Sequence, residues 1–89
     1  MKDNKKYIDK VIGSLVRGTK IDYDNNLISP PFISSPIPPY PSYFPPFIIF
    51  NLYNLPFVSY CKNTYGLIEE EIEYVWKEYR DIILDKINQ

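Results

Sequence analysis

From Asn25 to Cys61 the chain runs 37 residues without one Asp, Glu, Lys or Arg, and all nine of its prolines fall in that stretch. Nine aromatic residues share it, from Phe32 to Tyr60. Proline fixes φ, removes a backbone donor and pushes the preceding residue toward extended conformations. The spacing therefore predicts an extended, polyproline-like ribbon from Pro30 to Pro46, covering roughly 50 Å at ~3.1 Å per residue. Only Phe47–Leu55 is long enough between prolines to hold a regular element, a short strand or two helical turns.

Flexible linkers are polar and poor in aromatics, because such chains cannot bury enough apolar area to order themselves. This arm has the opposite composition, and left in water it would present a large apolar surface. An 89-residue chain buries only a modest fraction of its surface. The expectation is that the arm obtains its burial from other protein chains.

The flanks read as two amphipathic helices. Over about residues 4–17, Ile8, Val11, Ile12 and Leu15 recur at helical spacing, with Lys5, Lys6, Asp9, Lys10 and Ser14 on the other face. Gly18 is placed as a stop, and Gly13 weakens the helix by about 1 kcal/mol relative to alanine. Over about residues 67–87, Ile68, Ile72, Val75, Tyr79 and Ile82 repeat at four-three spacing, with Trp76 and Ile83 widening the stripe. Glu69, Glu70 and Glu71 suit the first turn and Lys86 the last, while Glu73 and Lys77 form an oriented i,i+4 pair. Thr64 or Gly66 starts this helix. The fold class is mainly α with a long irregular segment, one small unit of a basic helix (1–20), an uncharged arm (25–61) and an acidic helix (64–89).

Motifs for chemistry are sparse. There is no histidine, the commonest general base, and the single Cys61 has only Lys62 beside it to activate the thiol. Neither zinc nor any other cofactor is expected. Asp22-Tyr23-Asp24-Asn25-Asn26 begins like a calcium loop, but Leu27 and Ile33 occupy the places that need glycine and glutamate, leaving a polar turn. Pro36-Ile37-Pro38-Pro39 and Pro38-Pro39-Tyr40-Pro41 satisfy PxxP without the flanking basic residue that SH3 ligands usually add. Ser29-Pro30-Pro31-Phe32 resembles the substrate loop of amino-methyltransferases, which implies a doubly wound sheet and a glycine-rich cofactor turn. A chain with only Gly13, Gly18 and Gly66 cannot supply them. The chain is read as non-enzymatic.

Net charge is −1, so no global field draws nucleic acid, although residues 1–20 carry six basic and two acidic groups that could touch phosphate. Tyr43–Tyr60 is an uncharged run of near-span length, interrupted by Pro45, Pro46, Pro56, Asn51 and Asn54. The start of the chain has no secretory pattern, and the lone cysteine suits a reducing compartment or a particle interior. Abundant Ile, Tyr, Asn and Lys fit an AT-rich coding genome, viral or organellar among others.

The functional expectation is a small, non-catalytic structural or accessory subunit of a larger assembly, such as a capsid-like shell, a ribonucleoprotein or a respiratory-type complex. Its partners are other protein chains. Phe32, Tyr40, Tyr43, Phe44, Phe47, Phe50 and Phe57 of the arm, with Ile72, Trp76 and Tyr79 of the last helix, are the expected partner contacts. Two readings stand beside it: a membrane-associated small subunit, and a self-contained regulator or inhibitor that wraps the arm over its own helices and binds one protein.

Overall fold

The computed structural model describes residues 4–33, 43–50 and 55–88. Among them the chain is mainly helical, with a small hairpin. Helix α1 (Lys5–Gly18) buries Ile8, Val11, Ile12 and Leu15, the stripe its spacing predicts. Gly18 is not the stop; it is the last helical residue, and Thr19 caps the end with extended ψ. The glycine serves a close approach, since a Cβ there would lie 3.2 Å from Cβ of Pro31 in the arm.

Strands β1 (Lys20–Asp22) and β2 (Leu27–Ser29) pair antiparallel, with Ile21 opposite Ile28. The expected polar turn joins them. The Asp22 carboxylate accepts from the Asn25 backbone at 3.2 Å and from Asn25 Nδ2 at 2.8 Å, and Asn26 takes φ 56°.

The arm does not run away from this hairpin. Ile28 donates its N–H to the carbonyl of Phe44 at 2.8 Å and accepts from the Phe44 N–H at 2.7 Å. Ile28 and Phe44 thus lie one strand spacing apart, whereas a polyproline-like ribbon joining them would separate them by roughly 50 Å. Near its start, Pro30–Ile33 is a turn, with Ile33 N–H donating to Pro30 O at 3.5 Å. Residues 34–42, including Tyr40, lie outside the described residues.

Helix α2 (Pro46–Phe50) settles the choice left open after Pro46 in favour of helix over those five residues. Proline suits its first turn, where a missing N–H loses no helical bond. Helix α3 (Leu55–Tyr60) continues into a π turn (Cys61–Tyr65), which Gly66 ends at φ 68°. Its N–H donates to Lys62 O at 3.1 Å. Gly66 therefore closes the preceding turn and does not start the next helix.

Helix α4 (Glu69–Ile87) begins after Ile68, whose backbone N–H donates to Glu71 Oε1 at 3.1 Å. It buries Ile72, Val75, Trp76, Tyr79 and Ile83, but Ile68 and Ile82, both expected in the stripe, are 59 % and 39 % exposed. The expected Glu73–Lys77 pair does not close. Among the described residues the ion pair within 4 Å is Lys62–Glu69 at 3.9 Å, too exposed to contribute much.

Three long-range hydrogen bonds fix α1 and its ends, two of them to α4 and one to the π turn before it. Asn4 Nδ2 donates to Glu71 Oε2 at 3.0 Å, Tyr7 Oη donates to Tyr65 O at 2.6 Å, and Thr19 Oγ1 meets Tyr79 Oη at 2.7 Å. Thr19 spends its proton on Leu15 O at 2.8 Å, so Tyr79 is the donor to Thr19. The start of α1 lies at the start of α4 and its end at the middle of α4, so the two helices run in the same direction.

The described part of the arm covers this pair. Phe32, Phe50 and Phe57 pack on Trp76 and Tyr79: Phe57–Trp76 centroids are 4.8 Å apart, Phe32–Phe57 5.0 Å, Phe32–Tyr79 5.8 Å and Phe50–Trp76 6.0 Å. Most of these contacts are edge-to-face or tilted, the arrangements that ring quadrupoles favour. With Ile28, Ile49, Cys61 and Leu67 they join the buried stripes of α1 and α4 in one core.

Two predictions follow from this packing. Phe57 is 0 % and Phe47 65 % exposed. Phe57→Ala should cost about 3–5 kcal/mol and Phe47→Ala within about 0.5 kcal/mol, as urea denaturation of the two variants would measure. Equal costs would contradict the packing. The Glu71 carboxyl is held below its ordinary 4.5 by the Asn4 side chain and then by the Ile68 N–H. A carboxyl lowered in the folded state contributes stability above its unfolded pKa and loses it as pH falls through the folded value. The stability advantage of wild type over Glu71→Gln should thus be flat above about pH 5 and shrink below it. An advantage independent of pH between 3 and 6 would contradict this.

Candidate functional site

Burial redistributes the ten residues expected to contact a partner. Phe32, Phe50, Phe57, Ile72, Trp76 and Tyr79 are core residues of the chain itself, each no more than 7 % exposed. This burial has one physical cause: the described part of the arm lies on α4, and each set of rings is the other's burial. Phe44 is half-buried against the same core. Tyr43 and Phe47 do face solvent, and so does Ile48 beside them.

The local fold explains why Phe47 is outside. Helix α2 turns Ile49 and Phe50 inward, so a five-residue helix has to place Phe47 and Ile48 outward. Beside them, a cleft of about 450 Å³ opens between α2 and the C-terminal half of α4. Pro46, Phe47 and Phe50 line it from α2, and Arg80, Leu84 and Ile87 from α4, with the exposed Asn26, Asp81 and Asn88 completing it. Its size falls in the range of ligand and side-chain sites. Arg80 is half-buried, and its Nε is shut off from solvent without a hydrogen-bond partner.

Sequence periodicity alone does not reveal this cleft. Its signal was a secondary row on α4, Arg80, Leu84 and Ile87 at i, i+4 and i+7. A 19-residue helix also outreaches its 14-residue neighbour α1, so its last turns require other cover.

Two further clefts are lined differently. One of about 500 Å³ lies between the Phe32–Ile33 turn and α3 with its π turn, and one of about 230 Å³ between the end of α1, β1 and Lys86. Neither contains a buried polar atom lacking a partner among the described residues.

Cys61 is wholly buried, and burial pushes its thiol up to about 12. It is protonated at neutral pH and shielded from reagents. The described residues contain no group of three His, Cys, Asp or Glu side chains able to hold a metal ion. No described helix is long and apolar enough to cross a membrane; the described part of Tyr43–Tyr60 is divided between α2 and α3. Lys5, Lys6, Lys10, Arg17 and Lys20 are exposed on α1 and β1, with Asp9 among them. No protein-family model, curated protein or solved structure matches this chain.

The Cys61 environment makes a direct prediction. Raising a thiol from its ordinary 9.0 to about 12 lowers the thiolate fraction at neutral pH by about a thousandfold. Reaction of the native chain with a disulfide reagent should lag the urea-unfolded chain by at least that factor. Comparable rates would place the thiol outside the core.

Proposed function

We propose that this chain is a small, non-catalytic accessory protein that folds by itself and binds one protein partner through α2 and the cleft beside it. The observation that carries the reading is the contrast within the arm. Phe32, Phe50 and Phe57 are buried by the chain's own helices, yet Phe47 is 65 % and Ile48 43 % exposed on consecutive residues. Adjacent exposed apolar side chains beside a concave surface are the usual mark of a protein contact.

This reading keeps the expected partner class and changes the mode of contact. The driving reason for an arm threaded across neighbouring chains was unmet burial, and the described part of the arm obtains that burial internally. A regulator or inhibitor that docks one compact face is the form of the proposal best supported by these exposures.

A photo-crosslinking amino acid at position 47 tests the proposal in the native host, with position 23 as control because Tyr23 is comparably exposed on the hairpin. Position 47 should yield a discrete adduct with one protein, lost when Ile48→Ser is added. No adduct, or the same adducts from both positions, would overturn the reading.

A further inference from the structure

Resting on the binding reading above, we infer that the cleft between α2 and the end of α4 receives a protein segment with an acidic residue next to a large apolar one, and that Arg80 takes the carboxylate. Three observations carry this. First, Arg80 lines the cleft, and its Nε, closed off from solvent, has no hydrogen-bond partner, so the terminal nitrogens of the guanidinium are the donors left for a ligand. Second, the guanidinium has no ion pair among the described residues: Asp81 also lines the cleft, but the ion pair within 4 Å is Lys62–Glu69. Third, the cation is flanked by Phe47, Phe50, Leu84 and Ile87, so apolar area lies beside the charge.

The chemistry of that combination selects the ligand. A guanidinium is a planar fork of donors that matches a carboxylate with two parallel hydrogen bonds, and it is easier to desolvate than an ammonium. The apolar walls exclude water around the contact and offer a surface for an aliphatic or aromatic side chain one or a few positions away. Exposed Phe47 extends this surface beyond the cleft, which suits a stretch of polypeptide better than an isolated small acid.

Phage-displayed random peptides selected on the full chain, followed by titration of synthetic winners, test the inference. The winners should carry Asp or Glu within three positions of Phe, Trp, Leu or Ile. Replacing that acid by its amide should weaken binding about tenfold to wild type and less than about twofold to Arg80→Gln. Arg80→Lys, which keeps the charge and loses the fork, should fall between them, and matched urea midpoints for both variants would exclude misfolding as the cause. Winners without an acid, or an amide penalty unchanged in Arg80→Gln, would overturn the inference while leaving the binding reading intact if Phe47→Ser still abolishes binding. Winners indifferent to Phe47→Ser would remove both. Self-association of the wild type that Arg80→Gln dissolves, seen by sedimentation, would assign the cleft to a second copy of the chain and overturn the inference.

Discussion

Asn4 bonds to Glu71 and Thr19 to Tyr79, so α1 and α4 lie side by side pointing the same way. Everything between them follows from that direction. Antiparallel helices can be joined by a few residues, but a parallel pair obliges the chain to travel back the length of a helix, roughly 20 Å for the 14 residues of α1. The return path crosses the apolar faces that the two helices leave uncovered. A segment lying there must be apolar, must lack charge, and must satisfy its backbone without long regular elements. Residues 25–61 have that composition, uncharged and ring-rich, and their described parts form a strand, a turn and two short helices. The described part of the return segment is therefore the third side of the core.

The same geometry explains the placing of small features. Gly18 leaves room for Pro31 where the arm passes the end of α1. Gly66 reverses the chain in a left-handed conformation at the end of the π turn, just before α4 begins. Glu71 serves two partners, the Ile68 N–H and Asn4, and so fastens the start of one helix to the start of the other. These contacts couple the ends of the core; the rings of the arm fill its middle.

The two long helices were legible because 3.6-residue periodicity is a local signal, and Ile8, Val11, Ile12 and Leu15 carry it clearly. Their relative direction was not, since it depends on contacts such as Thr19–Tyr79, 60 residues apart. Nor was the fate of the aromatics. Composition identifies Phe32, Phe47 and Phe57 as residues that need burial, but it does not show that the turn Pro30–Ile33 after β2 carries Phe32 over Trp76 while α2 leaves Phe47 outside. Strands of three residues carry no periodicity to detect, so β1 and β2 leave no sequence signal beyond the polar turn over residues 22–26 that joins them. Arg80 escaped notice for a related reason. A cation on a helix reads as a solvated face until a second segment, here α2, comes to lie beside it.

Trp76 is the chain's one tryptophan and sits under Phe32, Phe50 and Phe57. Its fluorescence therefore reports the arm's contact with α4, while far-ultraviolet circular dichroism reports the helices. Urea unfolding of the isolated chain, followed by both signals at once, tests most directly whether the arm belongs to the core. A docked arm predicts a buried-indole emission in buffer and two coincident, cooperative transitions. A solvated-indole emission with helicity intact, or fluorescence changing well before the helices melt, would show that the arm needs another molecule to hold it.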